Sequence, residues 1–91
     1  MSLVFRLVYT REAKKQIQKL NQPLKNQIQQ AVELIAEDPK VGKPLVGVLK
    51  GRFSYRCGNY RIIYRIYHQE ITVLILTVDH RRDVYKKQRR Q

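Results

Sequence analysis

Four arginines flank the segment Cys57-Gly58-Asn59 in the second half of this chain: Arg52 and Arg56 before it, Arg61 and Arg65 after it. Glycine with asparagine suits a two-residue hairpin loop. With Gly58-Asn59 as that loop, cross-strand partners carry numbers that sum to 117. Tyr55 then faces Ile62 and Phe53 faces Tyr64, an apolar side turned toward a core. On the other side Arg56 lies opposite Arg61 and Arg52 opposite Arg65, with Ser54 and Ile63 between them. Like charges directly opposite one another destabilise a hairpin by about 0.2–1 kcal/mol per pair, so the pattern makes sense beneath a polyanion. A three-residue loop would shift the pairing by one, yet Arg61 and Arg65, four apart on one strand, would still share a side. A plain solvated strand face is the alternative, but such a face usually mixes signs, and the nearest acid is Glu70 in the following turn.

Arginine contacts phosphate through two parallel N–H donors, so nucleic acid is a candidate partner of such a face, beside an anionic membrane and an acidic protein. For an enzyme acting on nucleic acid, metal-assisted hydrolysis needs clustered carboxylates or His and Cys ligands. Here the acids Glu12, Glu33, Glu37, Asp38, Glu70, Asp79 and Asp83 are scattered, and His68 and His80 stand apart. No metal and no cofactor is expected. RNA permits cleavage without one, because its 2′-hydroxyl, the group that distinguishes it from DNA, can attack the adjacent phosphate. The protein must then orient the phosphate, stabilise developing charge and move protons. Candidates for proton movement lie in Asp79-His80-Arg81-Arg82-Asp83-Val84-Tyr85. Asp79 could cap a short helix on which Arg81 and Tyr85, four apart, share a face. Histidine exchanges protons near neutrality; a tyrosine, with a reference pKa of about 10, needs surrounding cations to favour its phenolate. Each residue also has a structural alternative: His80 on the surface, Tyr85 anchoring the terminal helix, Arg82 in a helix ion pair.

These residues need elements to position them. Leu3 to Tyr9 reads as a strand of mostly β-branched and aromatic residues. Thr10 caps a helix with Glu12 in its first turn and Ala13, Ile17 and Leu20 on one face. Asn21-Gln22-Pro23 ends it, and Pro23 opens a second helix carrying Leu24, Ile28, Ala31, Val32 and Ile35, which stops at Asp38-Pro39. Helices joined this tightly should pair antiparallel. Residues 41–51 are loop-like, with Gly42, Pro44, Gly47 and Gly51. Strands follow at 52–56, 60–67 and 71–78, the last apolar on both faces and therefore central and covered on both sides. The predicted architecture is α+β: an N-terminal strand, an antiparallel helical hairpin packed on a four-stranded, largely antiparallel sheet, and a short C-terminal helix.

The whole chain of 91 residues, 1–91, reads as a single domain, with 86–91 a basic tail that frays. Nineteen Lys and Arg against seven Asp and Glu give a formal net charge of +12. Residues 1–45 hold eight basic and four acidic groups, residues 46–91 eleven and three, so the excess is concentrated where the arginine pattern lies. Such a surplus suits an anionic partner. With 43% hydrophobic residues the chain can build a core, which argues against general disorder. One cysteine, Cys57, permits no intrachain disulfide and fits a reducing compartment. Arg6 interrupts the N-terminal apolar run too early for a signal-peptide core, and no run approaches the ~20 residues of a membrane span. A soluble cytoplasmic protein without membrane attachment is expected.

Four motifs taken in order, Tyr9-Thr10-Arg11-Glu12-Ala13, Leu49-Lys50-Gly51, Tyr60-Arg61-Ile62-Ile63-Tyr64 and His80-Arg81-Arg82-Asp83-Val84-Tyr85, resemble the RelE/ParE toxin superfamily, and specifically its RelE branch. The resemblance spans essentially the whole chain. It implies a RelE-like ribonuclease fold and the toxin of a type II toxin–antitoxin pair: a metal-independent endoribonuclease that cuts messenger RNA in the ribosomal A site and is silenced by a cognate antitoxin, expected to offer an acidic segment. Carried over by position, Arg61 would stabilise the phosphate transition state and Arg81 would lie nearest the leaving 5′-oxygen. Tyr85 would orient or activate the 2′-hydroxyl or stack on a base. Members commonly carry lysines on the strand before the turn; those roles pass here to Arg52 and Arg56, with Lys50, Arg65 and Arg82 as further RNA contacts. Arginine stays protonated, which leaves Tyr85 or His80 as proton acceptor. The same fold carries ParE-type toxins that poison DNA gyrase, and a plain nucleic-acid-binding module is a third reading. The Arg81 and Tyr85 pair favours the nuclease.

Overall fold

A computed structural model describes residues 3–80 of the chain. Strand β1 (Arg6–Tyr9) leads into helix α1 (Arg11–Gln18) and helix α2 (Leu24–Glu37). After a short turn of 3-10 helix come β2 (Lys43–Pro44), a second such turn, and then β3 (Phe53–Cys57), β4 (Tyr60–Tyr67) and β5 (Thr72–His80). The five strands lie in the order β1-β5-β4-β3-β2. β1 runs parallel to β5 and every other neighbour is antiparallel. The α+β architecture with its helical hairpin is as expected, with one addition: Lys43 and Pro44, within the anticipated loop, pair with Ser54 and Phe53 and give the sheet a fifth, two-residue edge strand.

Thr10 caps α1 as its sequence position requires, its Oγ1 accepting from the Ala13 amide at 3.1 Å while donating to the Leu76 carbonyl at 2.6 Å. One hydroxyl thus satisfies a helix start and ties it to the interior strand β5. The helices close one side of the sheet: Ala13, Ile28, Val32 and Ile35 meet Ile62, Tyr64, Val73, Ile75 and Val78 in a single core cluster. Pro23 sits at the cap of α2 and the helix proper begins at Leu24. The expected cover on both faces of β5 is complete only on the helix side, where Val73 and Ile75 are fully buried; on the other side Thr72 and Asp79 are buried, but Leu74 and Thr77 are half-buried.

β5 differs from the expected strand in its end and in its regularity. It continues through Asp79 and His80, so Asp79 is a strand residue, and the short helix predicted beyond it lies outside the described residues. Its pairing with β4 shifts by one between Ile63 and Tyr64: Tyr64 faces Ile75 but Ile63 faces Thr77, leaving Leu76 as an extra residue. Such a bulge reverses which side chains face which way. Val78 and His80 therefore join Val73 and Ile75 on the helix side, and Asp79 turns to the opposite side.

Tyr64 is a polar anchor within the core. Tyr64 is fully buried; its hydroxyl donates to the Pro39 carbonyl at 2.6 Å and accepts from the Gly42 amide at 3.0 Å. Its ring stacks on Phe53 at 5.6 Å. Burial pushes the Tyr64 phenol up to about 12. Because this lies above the unfolded value of about 10, the folded state holds the proton more tightly. The associated stability is fully present below pH 10 and is lost as pH rises from 10 through 12, by about 2 kcal/mol at 1.36 kcal/mol per unit. Urea unfolding between pH 9 and pH 12 should show this extra decline in the wild-type protein and not in Tyr64→Phe.

Candidate functional site

The hairpin places the arginines. Gly58 takes a φ of +60° at the first loop position, which glycine adopts without strain and which a type II′ turn requires. The β3–β4 register is the one in which partners sum to 117: Tyr55 faces Ile62, Ser54 faces Ile63 and Arg56 faces Arg61. Side chains alternate, so Ser54, Arg56, Arg61, Ile63 and Arg65 lie on the side of the sheet away from the helices. Arg56 and Arg65 are exposed and Arg61 is half-buried. The Arg61 Nη1 donates to the Ser54 hydroxyl at 3.3 Å, which gives that guanidinium a fixed support on the neighbouring strand.

Arg52 does not extend the ladder as expected. It precedes β3, where its amide donates to the Leu49 carbonyl at 3.1 Å and its carbonyl accepts from the Leu45 amide at 2.9 Å. The loop 45–51 folds back on that residue, which ends the regular pairing at Phe53 and Tyr64. Arg65 instead reaches toward the loop, its guanidinium lying 3.4 Å from where a Cβ on Gly51 would sit. Lys50 is exposed on the same loop. Lys43 of the edge strand, not singled out by sequence, pairs with Ser54 and brings a further cation to this border.

β5 closes the other border of the arginine face, and here the bulge decides the outcome. Arg61 faces Asp79 across the β4–β5 ladder, and Tyr60 faces His80. His80 thus lies on the opposite side of the sheet from Arg61. Its ring meets Tyr60 edge-on at 5.4 Å, beside an open hollow of about 470 Å³ that Glu12, Lys15 and Lys19 of α1 also line. The register sets Asp79, and not His80, opposite Arg61; the Asp79 carboxylate accepts from Gln16 of α1, and Asp79 borders the same hollow as His80. Arg81, Arg82 and Tyr85 lie outside the described residues.

The row Arg56, Arg61, Asp79 across three strands has a physical logic. Two guanidinium groups face to face repel, and a carboxylate directly beyond the inner one offsets that repulsion. Asp79 is 6% exposed, so its charge is poorly screened by solvent. The arrangement can present cationic hydrogen-bond donors to a phosphate while Ser54 supports the inner one. Among the described residues no three His, Cys, Asp or Glu side chains come together as a metal-binding group, and no helix is long and apolar enough to cross a membrane.

Comparison with known proteins agrees with this architecture. The family model described as ParE toxin of type II toxin-antitoxin system, parDE, matches residues 7–85. Toxin RelG of Mycobacterium tuberculosis is 51% identical over 55 residues, which cover 60% of this chain and 63% of that toxin, about three-fifths of its length. Among solved structures, a chain of the toxin–antitoxin complex RelBE2 from Mycobacterium tuberculosis superposes with a TM-score of 0.81 at 36% identity, covering 87% of this chain and 93% of that one. The isolated E. coli RelE toxin superposes with a TM-score of 0.74 at 20% identity over 94% of this chain and 96% of that one, a likeness of fold. With a family model matched over most of its length and a relative at 36% identity across nearly all of its fold, the chain belongs to the RelE/ParE superfamily of toxins of type II toxin–antitoxin systems.

Proposed function

We propose that this toxin is a metal-independent endoribonuclease that cleaves messenger RNA in the ribosomal A site. The observation that carries the reading is the arginine pair Arg56 and Arg61, opposed across β3 and β4, with Arg61 propped on Ser54. In the reaction the 2′-oxygen of the nucleotide loses its proton and bonds to the adjacent phosphorus. The bond from phosphorus to the 5′-oxygen breaks, and that oxygen takes up a proton, leaving a 2′,3′-cyclic phosphate. Arg61 binds the non-bridging oxygens as their charge grows, where prepositioned donors contribute most. Arg56 stands beside it as a second phosphate contact, and Arg52, Arg65, Arg82 and Lys50 hold the flanking backbone. Arg81 serves the leaving oxygen and Tyr85 the 2′-hydroxyl. His80, across the sheet from Arg61, takes no part in this set.

Primer extension on translating ribosomes tests the reading: wild-type toxin should generate new 5′-ends within the A-site codon of the bound message. Intact message under conditions that arrest growth would overturn it. The family model is described for ParE toxins, which supports a second reading as an inhibitor of DNA gyrase. Loss of supercoiling activity with intact message would select that one. We further propose a cognate antitoxin as partner, supported by the relatives solved as toxin–antitoxin complexes from Mycobacterium tuberculosis and E. coli. An acidic segment of that antitoxin complements the arginine face, and such charge pairing speeds association and makes it salt-dependent.

A further inference from the structure

Beyond the arginines, the structure assigns a positioning role to a residue that contacts no substrate: we propose that Gln16 of α1 fixes Asp79, and through it the orientation of Arg61. The inference rests on the nuclease reading for its kinetic test but not for its structural one.

β1 is shorter than β5, and their pairing ends with Tyr9 against Ile75. Beyond that point no strand among the described residues lies beside the β5 edge, and backbone groups there need other partners. Thr10 at the cap of α1 and Gln16 within it provide them in sequence. The Thr10 amide donates to the Ile75 carbonyl at 3.0 Å, and the Thr10 hydroxyl donates to the Leu76 carbonyl at 2.6 Å. The Gln16 Oε1 then accepts from the Val78 amide at 2.6 Å, and its Nε2 donates to Asp79 Oδ1. The backbone N–H must meet the oxygen of the amide, so the nitrogen is the end that faces the carboxylate. One side chain therefore holds both the backbone of β5 just past its bulge and the carboxylate of the residue that the register sets opposite Arg61.

α1 is a firm base for this contact. Its start is capped by Thr10 and Ala13 is fully buried against the sheet, so Gln16, one turn further on, has little freedom to drift. Asp79 is directly opposite Arg61 in the β4–β5 register, a relation that places Cβ atoms about 4.5–5.5 Å apart. Among the described residues of the arginine side it is the carboxylate of that ladder, and Ser54 supports the guanidinium from the other flank. In this proposal Arg61, with Ser54 bonded on one flank and a fixed carboxylate opposite on the other, is pre-aimed before substrate arrives, which is where catalytic arginines gain most over mobile ones.

The test compares Gln16→Ala, Asp79→Asn and the double variant with the wild-type protein, at a temperature where urea titration shows all four folded. Single-turnover cleavage on programmed ribosomes should fall by about 10- to 100-fold in each single variant, with half-saturating toxin concentration changed less than about twofold, because misplacement acts on the chemical step. The double variant should be no slower than the slower single variant, since both changes break one linkage. Independently of activity, the Arg61 Nε–H resonance in a ¹⁵N spectrum, assigned by its absence in Arg61→Lys, should shift in both single variants. An unmoved resonance overturns the proposal even if cleavage falls. A shifted resonance in a protein that never cleaves message upholds the positioning and discards the nuclease reading. Additive losses in the double variant would also overturn it, since they would mean two separate roles.

Discussion

Arg61→Ala is expected to reduce single-turnover cleavage of ribosome-bound message by about 10²–10³-fold, the loss seen when one prepositioned donor is removed from a developing oxyanion. The expectation follows from what distinguishes Arg61 from its neighbours. Arg56 and Arg65 share its side of the sheet but are exposed, whereas Arg61 is half-buried with Nη1 on the Ser54 hydroxyl. An exposed arginine pays side-chain entropy each time it engages a phosphate; Arg61 has been ordered already by folding. Arg56→Ala should therefore weaken message binding more than it slows the chemical step. Arg61→Lys keeps the charge but lacks the planar fork, so it should recover only part of the loss. Removing Arg61 also leaves buried Asp79 without the cation opposite it, which makes a urea titration beside the kinetic assay essential. A folded Arg61→Ala protein that cleaves at the wild-type rate would remove Arg61 from the mechanism.

The part of this site that was legible in the sequence is the part fixed by local geometry. Gly58-Asn59 set the loop length, the loop length set the register, and Arg56 against Arg61 followed by counting. The rest depended on irregularities that period-two reasoning cannot detect. In residues 71–78 nearly every side chain is apolar, so a slip of one residue exchanges one apolar side chain for another and leaves no trace in the pattern. That slip, at Leu76, is what sends His80 to the helix side and Asp79 to the arginine side. Arg52 failed to pair with Arg65 because residues 45–51 turn back on its backbone, a tertiary contact with no local signal. β2 was hidden by its brevity and by Pro44, a residue that reads as a loop yet is tolerated at a sheet edge. Gln16, between Lys15 and Ile17 on an amphipathic helix, looks like any solvent-facing polar residue. Its role follows from the ending of β1 at Tyr9, beyond which the Val78 amide donates to Gln16.

Gly42→Ala should be the most destabilising single-methyl change in the described fold, lowering unfolding free energy by about 2–4 kcal/mol through overpacking and disrupted hydrogen bonds. A chain of 91 residues has about 5–14 kcal/mol in all at 0.05–0.15 kcal/mol per residue, so the loss would be visible as a large fall in urea midpoint. The cause is space rather than backbone conformation. Gly42 has φ −78° and ψ 167°, an extended geometry open to any residue. A Cβ there would overlap the Tyr64 hydroxyl oxygen and lie 3.1 Å from the Ser54 carbonyl oxygen. Tyr64 cannot retreat: its ring is fully buried against Phe53 and its hydroxyl is held by Pro39 and Gly42. Gly47 makes the opposite comparison, since nothing lies within 4 Å of a Cβ there but its φ is +70°; alanine at Gly47 should cost about 1–2 kcal/mol, from backbone strain alone. Tyr64→Phe separates the two causes. It removes the atom that a methyl group on residue 42 would strike, so the Gly42→Ala penalty measured in a Tyr64→Phe background should be smaller than in the wild type, whereas the Gly47→Ala penalty should be unchanged. An equal Gly42→Ala penalty in both backgrounds would show that the Tyr64 hydroxyl is not what forbids a side chain at Gly42. Displacement at Gly42 also reaches the arginine face. Lys43 pairs with Ser54, and Ser54 holds Arg61, so cleavage by the Gly42→Ala protein should fall even at temperatures where it remains folded.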